Sequence, residues 1–459
     1  MNRRDFLKNG ARTTLTFGVG VTLLRNADSV YAAPANKKIN LGFVGLGGRG
    51  RALTGWFLNR PEKDVNFLYF CDPQRAKAEQ AAKIVTDSSQ EEDPKIVDDL
   101  RIILDDPKVD AVVSAMPDHW HALATIWACQ AGKDILTEKP ASHSAWEGQK
   151  MVEAARKYKR IVQHGTQSRS AAYVKAAKQY IKDGKLGKIH LCRIFSMKKE
   201  GDGGNFKIAP PVEVPSGFDW SRWLGPASMR PFSPSYINPR CWQHLWDFCS
   251  GDMILDGIHQ IDLARWVLGL DLPKTVYSNG GRFHDVGDAQ TPDTQITTYE
   301  YDNLMMTFEM TLYTPYILKE DSEVRNGDLF PNWQHNSTRI EIFGSAGMMM
   351  LGRHGGGWVV FVRPKNRETV VKDSMYGRYP DPEHVDNFVR CIRSRELPSA
   401  DIEIGHRSTL LAHYATISYR LGGQKLFINR QDGTILDNPE AQRFYKREYR
   451  KPFEVPEDV

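Results

Sequence analysis

Apolar positions divide the chain into two regimes. Residues 38–45 read as a strand, with Ile39, Leu41, Phe43 and Val44 apolar, and residues 65–70 as a second. Further short apolar runs at 109–115, 134–137 and 161–164 alternate with helical stretches at 123–131 and 146–158. Strand and helix alternating at this spacing predict a parallel sheet built from βαβ units. After Gly187 the pattern becomes β-rich, with runs at 189–197, 294–301, 304–312, 339–343 and 358–362. Helices are expected there only at 257–268 and 385–393. A last helix over 404–421 is expected to pack back near the first domain. The division that follows is 1–32, 36–168, 169–400 and 401–459.

Composition fits this picture. The chain has 459 residues, 41% hydrophobic and 25% charged, enough apolar material for more than one core. The net charge of +5 comes from interspersed signs, without a basic block of the kind that tracks phosphates, so nucleic acid is not an expected partner. The 6 cysteines are scattered, with no CxxC pair, and read as buried free thiols, although Cys241 and Cys249 lie close enough in sequence to suggest a bridge. No metal site is expected.

The N-terminus carries Arg3-Arg4-Asp5-Phe6-Leu7-Lys8, a weakly apolar run from Thr14 to Leu24, and a small-residue cleavage point at Ala32/Ala33. This is the order of a twin-arginine signal, with a disordered basic terminus as the plainer alternative. It predicts export to the periplasm, with no membrane span in the mature protein.

The first strand ends in Gly45-Leu46-Gly47-Gly48-Arg49-Gly50, a GxGxxG at a strand-to-helix junction. Gly45 suits the tight turn, Gly47 the approach of a pyrophosphate, and Gly50 close packing of helix on strand. The second strand ends in Cys71-Asp72. Asp72 can accept both ribose hydroxyls of NAD and repel a 2′-phosphate, or simply cap the next helix. Arg75 nearby leaves NADP open.

These motifs, with Met116-Pro117-Asp118-His119-Trp120-His121, Glu138-Lys139-Pro140, Gly165-Thr166-Gln167, Asp256-Gly257-Ile258-His259-Gln260-Ile261-Asp262 and Ile342-Phe343-Gly344, resemble the glucose–fructose oxidoreductase and inositol dehydrogenase family (Gfo/Idh/MocA), and the late stretches His384 to Arg393 and Glu403-Ile404-Gly405-His406-Arg407-Ser408 resemble its exported branch. The resemblance implies an α/β protein: an N-terminal Rossmann domain followed by an α+β domain with a large, mostly antiparallel sheet, whose open face mediates homo-oligomers. It implies an NAD-dependent oxidoreductase acting on a secondary hydroxyl of a sugar or glycoside, with a 3-keto sugar as one product. The alternatives are a redox-neutral glycosidase and a catalytically silent sugar-binding or scaffolding protein.

By the same resemblance, dinucleotide contacts are expected from Gly45, Gly47, Gly48, Arg49, Gly50, Asp72, Pro117, His121, Glu138 and Gln167. Lys139 is expected beside the nicotinamide, with a surface lysine as the alternative. His259 is expected as acid or base. Many relatives place an acid four positions before this histidine; here that position is Leu255, and Asp256 lies three before. Asp256 is either a shifted catalytic partner or a helix cap, and Asp262 is structural. The aromatic stretch from Trp220 to Trp246 offers Arg240, Trp242 and His244 as sugar contacts, while Trp220 and Trp223 read as core. Trp120 should lie near cofactor and substrate. Residues 201–215 read as a loop over the site.

Overall fold

The computed structural model describes residues 37–88, 93–198, 204–284, 286–317, 320, 322–364 and 368–459. The expected signal, residues 1–32, lies outside the described residues, as do residues 201–203 of the expected loop. Among the described residues, no helix is long and apolar enough to cross a membrane.

Six parallel strands form the first sheet: β1 (Ile39–Val44), β2 (Val65–Cys71), β3 (Lys95–Val97), β4 (Ala111–Ser114), β5 (Asp134–Thr137) and β6 (Val162–His164). Their order is β3-β2-β1-β4-β5-β6, so the switch point lies between β1 and β4, where an open α/β sheet binds its ligand. Phe43, Phe57, Phe67 and Phe70 interlock beneath it with ring centroids 5.3–6.3 Å apart.

The second sheet has ten strands: β7 (Ile189–Met197), β8 (Thr275–Gly281), β9 (Thr294–Glu300), β10 (Met305–Thr311), β11 (Ile340–Gly344), β12 (Gly347–Leu351), β13 (Trp358–Val362), β14 (Val370–Met375), β15 (Leu426–Ile428) and β16 (Ile435–Leu436). The order is β14-β13-β12-β11-β7-β10-β9-β8-β15-β16, antiparallel except at the β7–β10 pair. The helices Ala172–Lys182, Gly257–Leu268 and Ile402–Arg420 bury their apolar sides in the core of this sheet.

One packing expectation holds and is extended, and one changes. The helix Ile402–Arg420 packs on the helix Ala145–Lys157 of the first domain, as expected, with Ala141 N–H donating to Thr409 and Arg156 paired with Asp401 at its start, and it also puts Leu410, Leu411, Tyr414 and Ile417 into the second sheet's core. The helix Asp381–Ser394, assigned by sequence to the second domain, instead buries Val385, Phe388, Val389 and Ile392 against Ile39 and Phe57 of the first. Its apolar spacing identifies a helix but not the surface that receives it. The tail residues Phe453, Val455 and Val459 do return to the first domain.

The stretch between β7 and β8 folds on itself. Phe218, Trp220, Trp223, Phe232, Tyr236 and Phe248 make a small aromatic core. That core is tied to the edge of the first sheet: Arg75 N–H donates to the Gly217 carbonyl, Asp219 N–H to the Pro73 carbonyl, and Arg222 pairs with Asp98 at 2.9 Å. All six cysteines are buried and free, Cys241 and Cys249 included.

Candidate active site

The glycine loop has the shape a pyrophosphate needs. Gly45 sits at φ +78°, where a Cβ would lie 2.6 Å from the Ala115 backbone, and a Cβ on Gly50 would lie 2.1 Å from the Gly45 carbonyl oxygen. Around Gly47 and Gly48 there is open space. Gly47 offers the helix Gly48–Leu58 no side-chain cap, so the first-turn N–H groups point toward that space. A cleft of about 330 Å³ opens there, lined by Gly45, Gly47, Gly48, Arg49, Asp72, Lys77, Met116, Pro117 and Trp120. Trp223, Ile237, Pro239, Trp242 and Gln243 of the aromatic segment close its other side. The residues present therefore fit a dinucleotide.

Asp72 is not a helix cap; Gln74 occupies that position before Arg75–Thr86. Its Oδ2 accepts from Leu46 N–H at 2.7 Å and its Oδ1 from Gln74 N–H at 2.8 Å. Each oxygen keeps a second lone pair for a ribose hydroxyl. Burial pushes its pKa up, against Lys77 and the two backbone donors. Arg75, the sequence candidate for a 2′-phosphate, turns away to Glu79; Lys77 lines the cleft instead.

Arg49 reaches across to Glu138 at 2.6 Å and to Asp381 at 3.4 Å, stacked on Trp56. Gln167 donates to the same Glu138 oxygen, and Tyr379 donates its hydroxyl proton to Gln167 at 3.0 Å. Burial would raise the Glu138 pKa, but the Arg49 and Lys139 charges hold it below the ordinary value. His121 does not line the cleft directly. Its Nδ1 lies 2.6 Å from the Pro140 carbonyl and its Nε2 2.8 Å from the Met116 carbonyl, so it fixes the Met116-Pro117 turn against the segment bearing Lys139.

Lys139 follows β5, and its Nζ donates to the Leu255 carbonyl at 2.6 Å. That bond joins the end of the first sheet to the turn before the helix Gly257–Leu268, which carries His259. His259 is buried, and its Nδ1 has no hydrogen-bond partner among the described residues. Burial pushes its pKa well below the ordinary value; the Arg353 and Lys139 cations act in the same direction, against Asp256. His259 is thus a neutral imidazole at neutral pH.

Asp256 precedes this helix but makes no side-chain cap bond. Its Oδ1 accepts from Arg353 Nη2 at 2.8 Å, and its Oδ2 lies 3.6 Å from Lys198 Nζ. The cap alternative is therefore replaced by an ion-paired carboxylate. Asp262 accepts both Arg169 Nε and Nη2 at 2.8 Å, and Ser408 at 2.6 Å. It holds helix to helix, as expected.

The aromatic candidates divide. Trp242 lines the cofactor cleft. Trp120 lines it too, with Nε1 donating to the Trp223 carbonyl and its ring against Phe453. His244 is buried with Nδ1 against Thr291, and the Arg240 side chain is exposed, so both secure or decorate the aromatic segment. Trp220 and Trp223 are core, as expected, and Trp223 also faces the cleft.

Sequence reasoning missed Arg353, Lys198, Tyr379 and the chemical part of Asp118. Asp118 is buried, its Oδ2 without a partner among the described residues, and burial raises its pKa against the His121 and Lys139 charges. Only its place in the Met116–His121 segment hinted at this; Arg353 and Lys198 had no local signal.

Comparison with known proteins agrees with this geometry. Residues 39–166 match the oxidoreductase family model with an NAD-binding Rossmann fold, GFO/IDH/MocA, and residues 226–350 match the GFO/IDH/MocA C-terminal domain. The chain is similar to the uncharacterized oxidoreductase YrbE of Bacillus subtilis, 26% identical over 58% of this chain and 65% of that protein. It is also similar to the levoglucosan dehydrogenase of Pseudarthrobacter phenanthrenivorans, 30% identical over 33% of this chain and 39% of that protein. These matches thus span less than two thirds of those two relatives. A solved levoglucosan dehydrogenase in complex with NADH and levoglucosan shares the fold, with a TM-score of 0.64 and 18% identity over 88% of this chain and 100% of the other. The two family models together cover more than half of the chain, so it belongs to the Gfo/Idh/MocA oxidoreductase family, with an NAD-binding Rossmann domain at its N-terminus.

Proposed function

We propose that this protein oxidises a secondary hydroxyl of a sugar or glycoside, to a keto sugar such as the 3-keto form, with NAD held in the cleft between its two domains. The carrying observation is that Lys139, just past β5, donates to the Leu255 carbonyl and so ties the first sheet to the turn before the helix of His259, whose imidazole feels the Lys139 charge, in a fold whose glycine loop opens on a cleft shaped for a dinucleotide. A bound NAD supplies the hydride acceptor. His259, neutral and with an unpartnered Nδ1, takes the hydroxyl proton, while Lys139 steadies the oxygen as negative charge develops. Asp256, fixed by Arg353, favours the protonated imidazole that results. Asp72 favours NAD over NADP through its charge, with Lys77 able to soften the preference.

Three further parts of the reading have separate support. Arg3-Arg4 and the run after them support export by the twin-arginine route to the periplasm, with the cofactor already in place. The ten-stranded sheet leaves Tyr277, Ile296, Met305 and Phe427 exposed, which supports a homo-oligomer through that face. The aromatic segment closing the cleft favours a cofactor that stays bound, and so keeps a redox-neutral glycosidase as the second reading.

Mass spectrometry of products from a panel of glycosides decides between these, with the released cofactor identified alongside. A product two mass units below the substrate supports the dehydrogenase. A freed aglycone with no net NADH supports the glycosidase. No conversion of any glycoside by NAD-loaded protein contradicts both.

A further inference from the structure

Between β14 and the helix Asp381–Ser394 the chain crosses from the second sheet to the core of the first domain. The crossing ends in Tyr379-Pro380-Asp381. Tyr379 and Asp381 are both buried, and both reach the residues beside the glycine loop.

Five side chains close a circuit there. Arg49 Nε donates to Glu138 Oε1 at 2.6 Å, and Gln167 Nε2 donates to the same oxygen at 3.3 Å. Tyr379 donates its hydroxyl proton to Gln167 Oε1 at 3.0 Å. Two residues on, Asp381 Oδ1 accepts from Arg49 Nη1 at 3.4 Å, which returns the circuit to its start. Arg325, in the short helix Ser322–Asn326 between β10 and β11, holds the crossing in place. Its carbonyl accepts from Tyr379 N–H at 2.7 Å, its Nη2 donates to Asp381 Oδ2 at 2.9 Å, and its guanidinium lies 4.2 Å from the Tyr379 ring centroid.

The circuit has one polarity. Glu138 is a carboxylate, kept so by Arg49 and Lys139, and a carboxylate only accepts. Gln167 must therefore turn its NH2 to Glu138 and its carbonyl to Tyr379, where only a donor can meet it. The Tyr379 hydroxyl is that donor. With phenylalanine in its place the amide can turn over and set its oxygen against the carboxylate. Glu138 is confined on its other side by Gly165, where a Cβ would lie 2.8 Å from its Oε2. Arg49 stands in the first turn of the helix Gly48–Leu58 and lines the cofactor cleft, and Glu138 and Asp381 together set where its guanidinium lies.

We propose that Tyr379 and Asp381 are positioning residues of the cofactor site. The crossing orients Gln167 and Glu138 through Tyr379 and fixes Arg49 through Asp381, so that the dinucleotide meets a wall already in place. This rests on NAD in that cleft and not on which sugar is oxidised, and it is read by binding alone.

The test measures NAD affinity of the full chain by equilibrium titration, beside the thermal midpoint. Tyr379→Phe should weaken NAD about three- to tenfold, the size of one hydrogen bond, and Asp381→Asn by a similar factor. The relay makes a sharper demand. In a Gln167→Met background, Tyr379→Phe should have no further effect, because the amide it orients is gone. Ile392→Val, in the face by which the same helix packs on the first domain's core, should lower the midpoint and leave NAD affinity unchanged. Unchanged affinity in Tyr379→Phe overturns the proposal, and so does a loss that persists undiminished in Gln167→Met. An equal loss in Ile392→Val would trace the effect to helix docking and overturns it as well. The predicted weakening, in a protein that oxidises no glycoside, keeps the positioning roles and overturns the dehydrogenase reading. A wild-type chain that binds no NAD overturns both.

Discussion

At the scale of single residues, the site divides into groups that touch the chemistry and groups that hold them. Lys139→Ala and His259→Ala should each lower the oxidation rate about a hundred- to ten-thousandfold, the usual contribution of a general acid–base group, while dinucleotide binding persists. Equilibrium titration with NAD, run beside the rate measurement, checks both halves. Asp256→Asn removes a charge from the pair with Arg353 and should cost about 1.5–3 kcal/mol of transition-state stabilisation. A rate like wild type, with only stability lost, would show that Asp256 serves Arg353 and not His259. Asp72→Ala should weaken NAD more than NADP, since ribose contact and repulsion vanish together; equal weakening of both by titration contradicts that role. Lys139, His259 and the glycine loop were legible in the sequence because each sits inside a local motif. Arg353 was not. It lies 97 residues along the chain from Asp256, and strand pairing through β11 and β12 brings them together. The two roles of Asp256 share one sequence context, so only the contact with Arg353 separates them.

At the scale of elements, two assemblies position the site. The first is the buried Arg169–Asp262 pair, which joins the chain after β6 to the helix of His259. Asp262→Ala would strand the Arg169 charge in the interior and should cost about 3–5 kcal/mol in denaturant unfolding. A loss below about 1 kcal/mol would mean that the pair is replaceable by water. The second is the aromatic segment over the cleft, pinned from outside by the tail: Arg450 donates to the Gly225 and Ser221 carbonyls, and Phe453 packs on Trp120. Arg450→Ala should therefore speed NAD dissociation, read by stopped-flow fluorescence, and an unchanged off-rate would free the tail of that role. Sequence patterning located the strongly periodic elements to within a few residues. It passed over β8, where Asn279, Gly280 and Gly281 dilute the β signal, and β14, which is almost wholly exposed and has no buried face to mark it. The destination of Asp381–Ser394 was equally hidden, because an amphipathic pattern states that a face is buried without stating against what.

At the scale of the whole molecule, an unusual number of histidines is buried neutral. His119, His384, His406 and His413 are pushed down to about 3, His164 to about 4, and His259 well below its ordinary value, in each case chiefly by burial. In the unfolded chain these groups take protons near 6.5; in the native state they do not. Below that pH the unfolded state binds more protons, so stability falls as pH falls, by up to about 1.4 kcal/mol per histidine per pH unit. Thermal unfolding should thus shift sharply downward between about pH 6.5 and 4, and a flat profile would mean that these imidazoles are protonated in the native state. The two-domain architecture itself was readable from the change of pattern at Gly187, because parallel and antiparallel sheets distribute their apolar residues differently.

The central claim is that Lys139 and His259, from opposite domains, act on a sugar held against bound NAD. Single-turnover reduction of bound NAD by a glycoside, followed by the near-ultraviolet absorbance of the reduced nicotinamide, tests it most directly. The account predicts a burst of reduction in the wild type that is lost in Lys139→Ala and in His259→Ala, with the cofactor still bound in both. Reduction at the wild-type rate in both variants would contradict it and move the chemistry out of this cleft.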